Sequence, residues 1–450
     1  MSSPRHVSLL AGLVLALAVT GGATTVFKPS NPVALPTGLD VASDAESTVL
    51  YCTGLTNAAG GLAGTAVLLN TTSLSRDVRV QVVSDTGLRT TTTVRIAPFA
   101  SQSIHPDRLV TGHSFGIEAI VSGGGVVGAE VVTGGSAQVP CTSSGVTDWY
   151  GVGFDTSVGT TATLSLFNPT ATPAVVDVTA LTSSGFVAPA PFQGLSVSAH
   201  AEVVINLGSQ IVNMANVAAH VKVLRGAIDV VGVERSGSVV SLNPGSTSTT
   251  MAVWFPRVTT AQGALAQIRV ANPGTQPAHI TISVSLAPYH VNPFTMTVAP
   301  FATGTVILTP SHSIPAAGYA SATLTSNVSI VASLVTGTNA GVAVSAAFAP
   351  AAEFLLRDFT GRGFNAATVT NTSDHPVELT FSARGVGVGA PSSVQLAAHS
   401  TSDILGLYAG ITTLKGVTLR VRASRAVVIV TATLPTTPAG TTVVSPLYGG

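Results

Sequence analysis

The sequence predicts an all-β protein of four tandem immunoglobulin-like β-sandwich repeats, each of about 100 residues, after an N-terminal hydrophobic helix. Three observations predict it. The first is an internal repeat. An Asn that ends an apolar run recurs as Leu69-Asn70-Thr71, Phe167-Asn168-Pro169, Ala271-Asn272-Pro273 and Thr370-Asn371, at intervals of 98, 104 and 99 residues. The second is a period of two: Ile280, Ile282, Val284 and Leu286 alternate with Thr281, Ser283 and Ser285, and Val377, Leu379 and Phe381 with Glu378 and Thr380. The third is punctuation. Gly, Pro, Asn and Ser clusters divide each copy into about seven short strands, the density of a sandwich, whereas a propeller blade would repeat every ~40–50 residues.

The elements follow in chain order. Arg5 and His6 precede Val7–Phe27, 21 residues without a charge. Its most apolar part, Val7–Val19, has the length of a signal h-region, and Gly21-Gly22-Ala23 suits a cleavage site. The full run also suffices for one spanning helix. Residues 1–27 are therefore a cleaved signal peptide or a signal-anchor, and either places the rest outside the cytoplasm, with an anchored N-terminus inside. Residues 28–44 read as a Pro-bearing stalk. The repeats run over 45–142, 146–247, 248–349 and 350–448, with short links that predict a semi-rigid rod or a compact stack. The two cysteines, Cys52 and Cys141, fall in the first strand and just past the last strand of repeat one. In an exported protein such a pair reads as one disulfide.

Two more marks keep register with the Asn. A short turn before a strand reads Ala97-Pro98-Phe99-Ala100, Ser198-Ala199-His200-Ala201, Ala299-Pro300-Phe301-Ala302 and Ala397-Ala398-His399-Ser400. Two apolar runs joined by a tight turn follow, as in Gly116–Val132 and Gly416–Thr431, with counterparts starting near Ala218 and Gly318.

Charged residues make up 8% of the chain and the formal net charge is zero. An ordinary globular chain is about 25% charged. There is no basic excess for nucleic acid and no acidic excess for cations. Gly112-His113-Ser114-Phe115-Gly116 fits the G-x-S-x-G nucleophile elbow, but the elbow needs a helix after it, and here the strand Ile117–Val121 follows. The equivalent loops before Ala218, Gly318 and Gly416 carry no nucleophile. Closeness of His105, Asp107, His113 and Ser114 along one loop is not triad geometry. His200 and His399 share a slot with Phe99 and Phe301, which marks a packed turn position rather than a metal ligand. The runs Gly123–Gly125 and Gly385–Gly389 lack the Lys and helix of a phosphate loop and suit hairpin turns. No catalytic, cofactor-binding or metal-ligating residue is assigned, and the expectation is a protein without enzymatic activity.

Two groups remain as candidates. Tyr51, Trp149, Trp254 and Phe354 lie 19, 19, 18 and 17 residues before their repeat Asn, with Tyr150 and Phe255 beside the two tryptophans. They read either as packing of the first strand or as a platform for sugars or a partner. Arg420 and Arg422 share one strand face near Arg425, a solvated face or a basic patch for an anionic polymer or a neighbouring domain. By these boundaries domain three has only Arg257 and Arg269 and no acid, which suggests that part of its surface is covered.

The segment Val7–Phe27, the low-charge composition and the repeated Asn-Pro turns resemble an uncharacterised family of actinobacterial extracytoplasmic proteins. Members have one N-terminal hydrophobic segment and a Thr-, Val-, Ala- and Gly-rich β region. The resemblance implies an envelope role linked to surface polysaccharide or glycosyl transfer and carries over no functional residues. The expected function is an extracytoplasmic scaffold or adhesion module that presents sandwich surfaces to an envelope protein or polysaccharide. The alternative is a glycan-binding accessory protein of surface polysaccharide assembly.

Overall fold

Alternation decides which way each strand faces. In the strand Ala278–Leu286, Ala278, Ile280, Ile282, Val284 and Leu286 are buried, and His279, Thr281, Ser283 and Ser285 are exposed. In the strand Val377–Arg384, Val377, Leu379 and Phe381 are buried, with Glu378 and Thr380 exposed. The structure is a computed structural model. It describes residues 47–57, 63–132, 138–237, 239–286, 289–309, 311, 314–316, 318–338, 341–347, 350–357, 366–384, 392–407, 417–425, 428–436, 440–444 and 448–449. The hydrophobic N-terminal segment, the stalk and Gly385–Gly389 lie outside the described residues.

The chain is all-β. The first sandwich comprises β1 (Ser47–Thr56), β2 (Gly64–Asn70), β3 (Arg76–Ser84), β4 (Arg89–Ile96), β5 (Ser101–Ile104), β6 (Ser114–Ser122), β7 (Val126–Val132) and β8 (Gln138–Pro140). Sheet I has the order β1-β6-β3-β4 and sheet II the order β5-β2-β7-β8, all antiparallel. The same order recurs three times. In the second sandwich Asp148–Phe154, Val217–Arg225 and Ala174–Thr182 stand for β1, β6 and β3, with Gly185–Val187 and Leu195–Val197 sharing the place of β4. Its sheet II is Ala201–Asn206, Thr160–Asn168, Asp229–Ser236 and Val239–Asn243. In the third, one strand of 21 residues, Gly318–Thr338, runs through both sheets and replaces β6 and β7 together. In the fourth, Glu353–Arg357, Thr418–Ala423, Val377–Arg384 and Ser392–Leu396 form sheet I.

The first sandwich has eight strands, close to the roughly seven expected, and one expectation is corrected. The tight turn between the two apolar runs is not a hairpin: β6 belongs to sheet I and β7 to sheet II, so Gly123–Gly125 carries the chain from one sheet to the other. Its three glycines have φ of 81°, 61° and 73°, a left-handed run that residues with a Cβ resist.

The repeat Asn is the knot of each sandwich. Asn70, Asn168, Asn272 and Asn371 are each 0% exposed. Asn272 Nδ2 donates to the carbonyls of Gln276 (2.8 Å), Val298 (3.2 Å) and Ala299 (3.1 Å), and its Oδ1 accepts from Gly274 N (3.0 Å). The other three repeat this pattern, each onto the carbonyl four residues on and the two carbonyls that begin the turn before β5 or its counterpart. The Asn turn is thereby tied to the second mark, the turn before β5. There Phe99, His200, Phe301 and His399 all take positive φ, from 49° to 55°. Each of these residues donates its backbone N–H to the carbonyl two residues past the Asn.

Successive sandwiches meet sheet I against sheet II. β1 and β6 lie on Thr160–Asn168, Ala201–Asn206 and Asp229–Ser236 of the second sandwich. Sheet I of the second lies on sheet II of the third, where Thr182 and Ala302 form a parallel bridge. Thr250–Thr260 of the third lies on Ala366–Asn371 and Val428–Thr436 of the fourth. The fourth then meets the first: Leu355 is 5% exposed and packs into the first sandwich's core, and Gln138 Nε2 donates to Arg357 O at 2.8 Å. The described sandwiches thus close on one another instead of extending as a rod, and the described residues fall in one compact unit.

Candidate functional site

The site is built where apolar strands carry acids. Glu130 sits in β7, Glu202 in Ala201–Asn206, and Asp229 and Glu234 in Asp229–Ser236. Each is 3% exposed or less. Period-two alternation turns Glu130, Glu202 and Asp229 out of their own sandwich's core, and the neighbouring sandwich covers them; Glu234 shares the inward face of Val230 on its strand and is approached from the third sandwich by Arg269.

At the first junction Thr53 bridges two of them. Its N–H donates to Glu130 Oε1 at 2.5 Å and its Oγ1 to Asp229 Oδ2 at 2.6 Å. Thr142 Oγ1 donates to the other Asp229 oxygen at 2.8 Å. Ser114 Oγ donates to Glu202 Oε1 at 2.8 Å and lies 3.3 Å from Ser165 Oγ. Apolar contacts seal the same seam: Val132 and Val139 pack against Val231, Val240 and Leu242, and Tyr51 meets Phe167 edge to face at 6.4 Å. Gly116 lies against the Phe167 ring where any Cβ would overlap it. At the second junction Arg269 Nη1 donates to Gly153 O at 2.6 Å and faces Glu234, which accepts from Asp155 N at 2.9 Å.

Burial penalises the ionised carboxylate. It raises Glu202 to about 8 against the Ser114 and Ser165 hydrogen bonds, and Asp229 to about 6 against those of Thr53 and Thr142. It raises Glu130 well above the usual range, with the Asp229 charge adding to it. Glu234 rises to about 8 although Arg269 opposes the shift. Glu130 Oε2, Glu202 Oε2 and Glu234 Oε1 have no hydrogen-bond partner among the described residues. The seam thus gathers buried carboxyls with few polar partners inside an interface between two sandwiches. Among the described residues no group of three or more His, Cys, Asp or Glu side chains is placed to hold a metal.

The disulfide joins Cys52 to Cys141 across 89 residues and ties β1 to the segment after β8. The aromatic slot resolves differently. Pairing with the β6 counterparts aligns Trp149 with Leu50, Val253 and Phe354, and aligns Trp254 with Tyr51, Tyr150 and Leu355. The two tryptophans therefore point to opposite faces, since one residue of slip reverses a strand's side chains. Trp149 is 1% exposed and donates Nε1–H to Pro244 O at 2.8 Å. Its ring covers Gly151 and Gly245, which stand where Cys52 and Cys141 stand in the first sandwich, so the indole fills the volume the disulfide occupies there. Phe255 is 0% exposed. Tyr150 stacks on His220 at 4.3 Å and packs in the second junction. Trp254 is half-buried against its own sandwich's core. Ser114 of the elbow-like motif is 5% exposed and bonded to Glu202, and His113 pairs with Asp85 instead. Arg420 and Arg422 both bind Glu353, at 2.8 and 2.9 Å, so two of the three cations in the basic patch are matched by an acid; Arg425 is exposed. Arg269 is buried, and Arg257 lies over the Tyr319 ring at 3.4 Å, which accounts for both cations of the third repeat.

Composition and spacing do not single out Glu130, Glu202, Asp229 or Glu234, and they mark Arg269 only as one of the two charges of the third repeat. A signal was present in Gly128-Ala129-Glu130-Val131-Val132 and Val231-Gly232-Val233-Glu234, where an acid interrupts an apolar strand. Whether such an acid faces solvent or a neighbour is not written in the strand.

A family model described as a family of unknown function, DUF5719, matches residues 126–404. The chain belongs to this family. The matched span holds all four seam acids, Arg269 and the second and third sandwiches. No curated protein matches the sequence. Among solved structures, a Thermotoga maritima protein numbered 1070 is 17% identical over 22% of this chain and 93% of its own, with a TM-score of 0.21. A tetra-tandem repeat from the extending region of a large adhesion protein is 12% identical over 88% of this chain and 97% of its own, with a TM-score of 0.11. No helix among the described residues is long and apolar enough to cross a membrane.

Proposed function

We propose that this protein is a non-enzymatic, extracytoplasmic envelope module that offers a preassembled surface of joined sandwiches to an envelope protein or polysaccharide. The observation that carries the reading is the closed set of junctions. Buried polar and apolar contacts hold each sandwich on the next, and the fourth returns to the first through Leu355 and Gln138. Such an assembly fixes the mutual placement of distant loops, which favours binding by reducing the ordering cost on association. The Cys52–Cys141 disulfide supports an oxidising compartment, and the segment Val7–Phe27 supplies export or an anchor. We read each repeat as an immunoglobulin-like sandwich with altered connectivity: the strand after β6 crosses to the other sheet, whereas in the constant-type immunoglobulin order it stays beside β6. Recognition of glycans through the Trp149 and Trp254 strands is not proposed, because Trp149 and Phe255 are buried and Tyr150 and Trp254 are half-buried, the first in the second junction and the second against the third sandwich's core.

The test is capture of envelope material by the full chain. Retention of a defined envelope protein or polysaccharide, competed by excess free chain, is the expected result. A well-folded monomer that retains neither overturns the reading.

A further inference from the structure

We propose that the junction between the first and second sandwiches is a proton-dependent latch, closed when Glu130, Glu202 and Asp229 take up protons and loosened when they ionise. The geometry comes first. Three carboxyl groups from two sandwiches are buried in one seam, and among the described residues no ion pair reaches any of them. Their bonds come from neutral donors: the Thr53 N–H and hydroxyl, the Thr142 hydroxyl, the Ser114 hydroxyl and the Gly54 N–H. Two of the carboxyls keep an oxygen without a partner. The charged and titratable groups that face the seam are Tyr51 of β1, Asp85 beyond β3, Glu118 of β6, and Arg79 and His200, which act on Glu118. Asp85 and the carboxylates themselves add repulsion, and Arg79 and His200 bear on Glu118 rather than on the three. An ionised seam is therefore three like charges out of water, a state disfavoured against the neutral one by both desolvation and mutual repulsion.

The sign follows from linkage. The folded-state value of Glu202, about 8, is above its ordinary 4.5, and that of Asp229, about 6, is above 3.8. The closed junction binds more protons than the open one across those windows. Its stability is fully present below about pH 4, falls as pH rises, and is lowest above about pH 8. Each group contributes up to a tenfold change in the closing equilibrium per pH unit within its window. The second junction is expected to respond less, because Arg269 stands opposite Glu234.

The test uses the full chain. Hydrogen exchange, corrected for its intrinsic pH dependence, reads the Thr53 amide and the strands Ser47–Thr56 and Asp229–Ser236 between pH 5 and 9. Protection is expected to fall by at least tenfold with rising pH, while the Ala278–Leu286 strand of the third sandwich stays protected. Glu202→Gln, which is neutral at every pH, is expected to keep protection high at pH 8 and to flatten the profile. Protection that is constant or rises with pH, or a Gln variant that follows the wild-type profile, overturns the latch. Should the variant not fold, infrared absorption of the Glu234→Gln chain, which removes the second junction's acid, decides: a protonated carboxyl band is expected at pH 7 and is expected to weaken as pH rises, and its absence at pH 7 overturns the proposal.

Discussion

Asn272 shows how one side chain organises a hundred residues. Its amide spans two turns that are 26 and 27 residues apart in sequence, and three carbonyls depend on it in a site closed to water. Asn272→Ala leaves those carbonyls unpaired and is expected to cost about 2–4 kcal/mol, seen as a lowered denaturation midpoint. A shift under about 0.5 kcal/mol would mean that other contacts hold the turns. Trp149 and Trp254 make a contrast at the same scale. Trp149→Ala opens a cavity over Gly151 and Gly245 and is expected to cost about 3–5 kcal/mol. Trp254→Ala removes a half-buried ring and is expected to cost under about 2 kcal/mol. Equal losses would contradict the opposite orientations of the two rings.

Sheet I edges are the elements that join the sandwiches. Tyr51, Tyr150, Trp254 and Leu355 occupy one outward position on the first strand of each copy, and three of them contact the next sandwich. The strand is thus amphipathic on neither face: one side fills its own core and the other fills a junction. Leu355→Asp places an unpaired charge in the closing contact. Hydrogen-exchange protection is expected to drop in Gln138–Pro140 and Glu353–Arg357, while Val377–Arg384 stays protected as part of the fourth sandwich's own core. Unchanged protection at Gln138–Pro140 would show that the fourth sandwich does not hold the first.

For the molecule as a whole, the disulfide and the acids set stability in opposite senses. Cys52–Cys141 closes a loop of about 90 residues, worth about 4–5 kcal/mol in the chain-entropy model. Reduction is expected to lower the midpoint of the first sandwich's transition and to spare the second, where Trp149 fills the corresponding volume. Loss of both together would show that the junction makes the two one cooperative unit. The seam acids weaken the assembly as pH rises, so its acid side is its stable side, contrary to proteins whose carboxylates are paired.

The sequence by itself determined the strands, the four copies, their marks and the disulfide. Each is a local or periodic property: alternation selects a face, Gly and Asn select turns, and two cysteines allow one pairing. Ile280, Val284 and Phe381 could be placed in cores from alternation alone. The tertiary structure alone decided which sheet each strand joins, the inward turn of Trp149 against the outward turn of Trp254, the pairing of Arg420 and Arg422 with Glu353, and the burial of Glu130, Glu202 and Asp229. These depend on register and on which surface covers which. A single-residue slip inverts a face, and an acid in a strand has the same sequence whether water or a second sandwich lies above it.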